Sequence, residues 1–172
     1  MFEVGYLAFI STMNTPSIIV RPFTYFDLKD VIKIDNESGN YVSQWVKDLE
    51  YEDSNYNDYS WGIYVDNILV GYCTIGYADD VCSVIENHPL HDDEAYLLSD
   101  VYIKPDYRHK GYGLQLITET IKGRFVKEEK FPVFLQVFND DLKYFYRKAG
   151  FEYIPDKDDY SCMVYNPNKK RD

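Results

Sequence analysis

From Ser17 onward the chain alternates short apolar runs with stretches of helical apolar spacing. Ile18, Ile19 and Val20 predict a short strand, followed by Arg21-Pro22. Asp27 is placed to cap a helix carrying Leu28, Val31, Ile32 and Ile34, and a second helix is predicted from Ser43 through Trp45, Val46 and Leu49. Tyr51–Tyr59 is polar and acidic and reads as a loop. Trp61–Val65 and Ile68–Tyr77 flank Asp66-Asn67, the pattern of a hairpin. Asp79–Glu94 is a polar connection, and Leu97–Ile103 is an apolar and β-branched run that predicts a buried strand. Further on, Pro132–Phe138 predicts a strand and Asp140–Ala149 a helix that Gly150 stops. Phe151–Ile154 and Ser161–Tyr165 predict a closing antiparallel pair. No internal repeat, low-complexity tract or linker interrupts this order. It reads as one domain over 17–167, an N-terminal arm over 1–16 and a tail over 168–172.

The centre of the pattern is Leu97 to Phe125. After the strand comes the polar connection Lys104–Lys110, then Gly111 and Gly113, and from Leu114 the apolar positions Leu114, Ile117 and Ile121 share one helical face. Strand, glycine turn and helix together suit an anion. The first turn of a helix has N–H groups with no internal partner, and glycine lets backbone approach an oxyanion closely. Arg108 and Lys110 add positive charge. A phosphate-binding loop ending in Gly-Lys-Ser/Thr is absent, and two glycines fall short of the dinucleotide fingerprint.

Composition narrows the functional classes. A length of 172 residues with 45% hydrophobic content suits one globular domain with a sizeable core. The formal charge of −11 argues against nucleic acid, and suits either a cationic small substrate or an ordinary cytoplasmic surface. Cys73, Cys82 and Cys162 are odd in number with no C-x-x-C, as for reduced thiols in a cytoplasmic protein. The apolar run Phe2, Val4, Tyr6, Leu7, Phe9 and Ile10 lacks a preceding basic residue and is interrupted by Glu3, so it does not read as a signal peptide. It is too short to span a membrane, and Met13 is an alternative start.

Two motifs carry a resemblance. Arg108-His109-Lys110-Gly111-Tyr112-Gly113 resembles the R/Q-x-x-G-x-G/A signature of the GNAT acetyltransferase superfamily. Asn139, Tyr146, Lys148, Gly150 and Phe151 are similar to its N-x-x-A-x-x-x-Y-x-K-x-G-F pattern, with Leu142 in place of the alanine. The predicted element order matches that superfamily over nearly the whole chain. The resemblance implies an α/β (α+β) fold, the GNAT acyl-CoA N-acyltransferase fold, with a mixed central sheet of about six to seven strands. It implies acetyl transfer from acetyl-CoA to an amine, without a metal. The backbone of Arg108, His109, Lys110, Gly111, Tyr112, Gly113 and Leu114 would hold the coenzyme pyrophosphate. Val101, Tyr102 and Ile103 would bind the pantetheine arm and supply an N–H to the oxyanion, and Asn139 would contact the coenzyme.

Leu142, Phe145, Tyr146 and Ala149 stand at i, i+3, i+4 and i+7, which places Tyr146 on the buried face of its helix. It reads either as one more core aromatic among 18 tyrosines or, by the resemblance, as the group that protonates the departing thiolate. Where many members carry a glutamate on the central strand, this chain has Leu97 or Ser99. Asp100 is the nearest acid. The segment from Ser99 is similar to the diamine acetyltransferases, which have Glu-Asp at Ser99-Asp100. Alternation points Asp100 away from Ser99 unless a bulge re-aims it; otherwise it is a strand-edge acid that pairs or caps. Water leading to Asp79, Asp80 or Glu94 is an alternative relay. His88 and His91 sit in an acidic stretch that Pro89 breaks, which reads as solvated loop rather than metal site. The expected function is transfer of acetyl to the primary amine of a small, polyamine-like or otherwise cationic molecule. A protein or peptide acetyltransferase and a non-catalytic acyl-CoA-binding sensor are the alternatives. Neither nucleic acid nor membrane is an expected partner, and a homodimer is compatible with the sequence without being indicated by it.

Overall fold

The computed structural model describes residues 15–48, 57–79, 81–92, 94–124, 131–155 and 161–169. The expected arm up to residue 14, the acidic stretch 51–56, Asp80 and the end of the tail lie outside the described residues. The elements run β1 (Ile18–Phe23), α1 (Leu28–Ser38), α2 (Val42–Asp48), β2 (Asn57–Val65), β3 (Ile68–Tyr77), α3 (Ser83–Glu86), β4 (Tyr96–Ile103), α4 (Tyr112–Arg124), β5 (Val133–Val137), α5 (Asp140–Lys148), β6 (Glu152–Ile154) and β7 (Ser161–Tyr165). The strands form a seven-stranded mixed sheet in the order β1-β2-β3-β4-β5-β7-β6. Among the described residues only the β4–β5 pairing is parallel. Among the described residues no helix is long and apolar enough to cross a membrane.

Both faces of the hairpin are covered, which is why its strands read as almost continuous apolar runs. On one face Phe23, Tyr64, Leu69 and Tyr72 pack with Val31 and Ile34 of α1 and Val42 and Val46 of α2. On the other, Ile63, Cys73, Ile75 and Leu98 pack with Leu116, Ile117 and Ile121 of α4, and Phe145 and Tyr146 of α5 lie against the same cluster. The turn is tight as expected. Asp66 and Asn67 both take positive φ, 50° and 65°, the backbone a two-residue hairpin loop requires.

The differences from the sequence pattern are local. β2 starts at Asn57, inside the stretch expected to be loop, and α3 interrupts the expected polar connection. Ile32 and Leu142 are 46% and 44% exposed, so neither belongs to the buried face expected of its helix. In α5 the packing is made by Phe145, Tyr146 and Ala149, toward the C-terminal end, while Leu142 occupies the first turn. Asp27 does not cap α1 with its side chain. Its carboxylate instead accepts both arms of the Arg21 guanidinium at 2.8 and 2.7 Å, the Thr24 N–H at 2.8 Å and the Tyr64 hydroxyl at 2.8 Å. Burial opposes the charge, but these donors outweigh it and hold the carboxyl well below the usual carboxylate range. The cluster ties β1 and β2 to the start of α1.

Candidate active site

The middle of the sheet is built to come apart. β4 and β5 pair at Tyr96↔Val133 and Leu97↔Phe134, and the ladder ends there. Beyond Leu97, β4 keeps β3 on one side, through Ser99, Tyr102 and Ile103, while its other edge no longer pairs with β5. Backbone donors and acceptors on such an edge are open to an extended guest. The β3 register also slips between Tyr72 and Thr74: Tyr72 faces Tyr102 and Thr74 faces Ser99, so Asp100 and Val101 together oppose Cys73. This is a bulge, and Asp100 sits in it at φ 49°. Aspartate is among the few side chains that tolerate this region.

The bulge re-aims Asp100. Plain alternation would send its carboxylate to the face opposite Ser99, yet Thr74 Oγ1 lies 3.2 Å from Asp100 Oδ2 and 2.8 Å from Ser99 Oγ. Asp100 is exposed and lines a cavity of about 310 Å³ with Asn40, Tyr41, Val42 and Gln44 from the α1–α2 turn and the start of α2. That turn is held from behind. Asn40 Nδ2 donates to the Tyr72 hydroxyl at 2.7 Å, and Ser38 Oγ lies 2.7 Å from the same oxygen. Burial raises the Tyr72 phenol, with the Asp35 and Asp100 charges adding to it against the Ser38 and Asn40 bonds. Thr74, Asn40, Tyr41, Gln44 and Tyr72 were not candidates from sequence. Nothing in their local pattern separates them from ordinary strand and turn residues. A larger depression, about 560 Å³, lies along Tyr25, Phe26 and Ile32 and includes none of the candidate residues.

At the far end of β4 the chain makes the expected glycine turn. His109 and Gly111 adopt positive φ, 60° and 86°. Tyr112, Gly113 and Leu114 form the first turn of α4, so their N–H groups have no carbonyl four residues back inside the helix. A Cβ built on Gly111 meets nothing within 4 Å, whereas one on Gly113 comes 3.2 Å from Phe145 and 3.6 Å from Ile103. Gly111 therefore keeps the approach open, and Gly113 lets α4 sit close to β4 and α5. The Arg108 side chain is partly committed: its Nε donates to the Ile103 carbonyl at 2.8 Å. The Lys110 ammonium lies over the Tyr107 ring, 5.3 Å from its centroid.

Tyr146 approaches from α5, edge-on to Phe145 and Phe151 at centroid distances of 5.1 and 5.9 Å. Burial, with a smaller contribution from the nearby Cys73 thiol, pushes its phenol up to about 12. Its side chain is partly buried, and its hydroxyl has no hydrogen-bond partner among the described residues. Cys73 is wholly buried, is itself pushed up to about 12 by burial, and lies 3.4 Å from the Thr120 hydroxyl. Asn139 is the N-cap of α5, its side chain accepting from the Asp141 N–H at 2.9 Å. Such a cap is worth about 1 kcal/mol, so Asn139 has a structural reason for its place besides any ligand. Val101 and Ile103 of the open edge, Tyr112 and Leu114 after the glycine turn, and Tyr146 thus pack against the core on the α4 and α5 side, while Tyr102 packs on the α1 and α2 side. Asp100 and its cavity lie on the α1 and α2 side, and the parting of β4 from β5 lies between the two.

The other titratable candidates stand apart. His88 and His91 set their rings edge-on to Phe134, at 5.4 and 5.9 Å. Burial, and the His91 charge beside it, lowers the His88 imidazole. Among the described residues no group of three or more His, Cys, Asp or Glu converges as a metal site would. Asp79 and Glu94 are exposed at the ends of the β3–β4 connection and share no hydrogen bond with Asp100.

Residues 57–153, more than half of the chain, match the family described as an acetyltransferase (GNAT) domain. The chain belongs to the GNAT acetyltransferase family. The matched span of this GNAT domain runs from β2 to β6 and includes Thr74, Asp100, the glycine turn and Tyr146. No curated protein sequence matches significantly. Among solved structures, the PaiA N-acetyltransferase of Thermoplasma acidophilum, in complex with coenzyme A, superposes with a TM-score of 0.60 at 22% identity, covering 87% of this chain and 99% of that one. NAA60 of Arabidopsis thaliana, in complex with acetyl-CoA, gives a TM-score of 0.63 at 17% identity over 89% of this chain and 100% of that one. The N-acetyltransferase YlbP of Bacillus subtilis, in complex with coenzyme A, gives 0.56 at 16% identity over 91% and 100%. At these identities the likeness establishes the GNAT fold, including the mixed sheet expected from the sequence. As a GNAT member the chain is an acyltransferase.

Proposed function

We propose that this chain is an acetyl-CoA-dependent N-acetyltransferase acting on the primary amine of a small cationic molecule. The observation that carries the reading is the open edge of β4, with the glycine turn and the first-turn N–H groups of α4 at one end and Tyr146 and Asp100 on either side. The coenzyme supplies an acetyl group activated as a thioester. Its pyrophosphate suits the backbone N–H groups of Arg108 to Leu114, of which the Arg108 N–H already bonds the Pro105 carbonyl at 3.2 Å. Its extended arm suits Val101, Tyr102 and Ile103, whose N–H groups can also donate to the oxyanion that develops at the carbonyl. An alkylammonium loses its proton near ~10, so the acceptor arrives charged and must be deprotonated to attack. Asp100 accepts that proton. Tyr146 faces the departing sulfur.

The cavity beside Asp100 presents a carboxylate and a phenol, and among the described residues no lysine or arginine lines it. A binder without turnover has no use for a carboxylate and an unpartnered phenol on the two sides of one opening, which favours an enzyme over a sensor. The reading is tested by a panel of amines with acetyl-CoA, following free thiol. Cationic diamines should be the fastest acceptors, with the advantage shrinking as salt is raised. If neutral or anionic amines are as good, the electrostatic part fails. If only peptides with a free N-terminus or lysine react, the acceptor is a protein.

The coenzyme half has its own test. Gly111→Val puts a β-branched side chain at φ 86°, where it is strained, and fills the open approach. Acetyl-CoA affinity should drop about tenfold or more, measured by calorimetry on protein whose circular dichroism is native. Normal binding by that variant would refute the pyrophosphate assignment.

A further inference from the structure

We propose that Thr74 is a positioning residue for the acetyl transfer, holding one oxygen of Asp100 so that the other faces the acceptor cavity. The proposal rests on the reading that Asp100 takes the amine proton. Thr74 is 2% exposed and stands directly across β3–β4 from Ser99. Its hydroxyl has one proton. Ionised Asp100 can only accept, so Thr74 donates to Oδ2 over 3.2 Å, and the Ser99 hydroxyl, 2.8 Å away, donates to Thr74 in turn. The result is a short chain of hydroxyls ending on a carboxylate, each bond polarising the next. Oδ1 of Asp100 has no hydrogen-bond partner among the described residues, and Asp100 is one of the residues that line the cavity.

An exposed carboxylate on a bulge would otherwise sample several rotamers, and only some would meet an amine in the cavity. Thr74 removes that freedom from a place the solvent hardly reaches. Its own hydroxyl never touches the acceptor in this arrangement. The bulge is necessary to the device, since in a regular strand Asp100 would lie on the other face. The substituted family glutamate is thus replaced by three residues acting together: Ser99, Thr74 and Asp100.

The test is a set of single and double variants assayed with acetyl-CoA and the best amine of the panel. Thr74→Val keeps the shape and removes the hydroxyl. It should lower kcat about tenfold to a hundredfold, the cost of losing a hydrogen bond to a charged group, with the KM for acetyl-CoA within about twofold. Thr74→Ser should restore most of the rate. In an Asp100→Asn background Thr74→Val should cost no more than about twofold, because nothing remains to be positioned. Equal losses in both backgrounds, or no loss in Thr74→Val while Asp100→Asn is impaired, would overturn the proposal and leave the base intact. A loss in Thr74→Val with none in Asp100→Asn would overturn both. If Thr74→Val does not fold, Ser99→Ala carries the same test: a loss of about twofold to fivefold that vanishes in the Asp100→Asn background supports the chain, and one that persists there refutes it.

Discussion

Tyr146→Phe should lower turnover about a hundredfold to a thousandfold while acetyl-CoA affinity and thermal stability hardly change. The ring contacts with Phe145 and Phe151 survive the substitution, and the hydroxyl that is lost has no hydrogen-bond partner among the described residues, so little folding energy goes with it. On the proposed reading, what is lost is a donor to the departing sulfur. The size follows from comparing acidities. Burial holds the phenol at about 12, whereas a thiol ionises near ~8.5, so complete transfer to a free thiolate runs uphill by roughly 5 kcal/mol. The hydroxyl therefore contributes mainly as a short hydrogen bond to sulfur as charge builds there, and removing one such donor costs about 10²–10³. Because the raised value keeps the phenol protonated, the activity it supports is present at all lower pH and is lost only as pH rises through about 12. The wild-type profile should have no alkaline limb from Tyr146 in the physiological range. Single-turnover rates in the two proteins check the claim. An unchanged rate in Tyr146→Phe would mean the sulfur leaves unaided and would return Tyr146 to the core.

Much of this site was legible because its parts are local. The glycine turn needs Gly111 at a positive φ and Gly113 where Phe145 presses close, and both requirements show in the sequence as glycines before a helical pattern. The Tyr146 face showed in its spacing. The order of strands and helices matched the GNAT pattern, and the expectation of a mixed sheet came from that resemblance; a four-residue helix such as α3 is too short to show a period and reads as polar connection. What sequence could not give was pairing between distant segments. Thr74 meets Asp100 only because the β3–β4 register slips by one residue, and nothing in Gly71–Tyr77 announces a slip. The cavity depends on a turn at Asn40 and Tyr41 that is held by Tyr72 from another strand. Asp27 looked like a helix cap because its neighbours are helical; Arg21 and Tyr64, brought in by the sheet, claim it instead. Leu142 looked buried because it keeps the period, but the helix packs through its later residues.

Asp100→Asn should slow acetyl transfer about a hundredfold to ten-thousandfold at neutral pH, and the deficit should shrink as pH rises. The reason lies in who deprotonates the amine. With an acceptor near ~10.4, only about one molecule in 2,500 is neutral at pH 7. Wild-type enzyme can bind the abundant ammonium and pass its proton to Asp100, so its kcat/KM should be nearly flat across neutral pH. The asparagine variant cannot accept the proton. It must wait for the rare neutral amine, so log kcat/KM should climb by about one per pH unit until the amine itself is titrated. The substitution is conservative for the backbone, because asparagine tolerates the φ of 49° that the bulge imposes. Stability should therefore be close to that of the parent protein, and the change in slope can be assigned to chemistry. The same slope distinguishes Asp100 from the alternative of a water relay. A relay through Asp79 or Glu94 would leave the profile of Asp100→Asn parallel to wild type, lower at most by a constant factor. A parallel profile would make Asp100 a strand-edge acid held by Thr74 for structural reasons. A unit slope, together with the loss of any further effect from Thr74→Val, would assign the proton to Asp100 and its aim to the bulge.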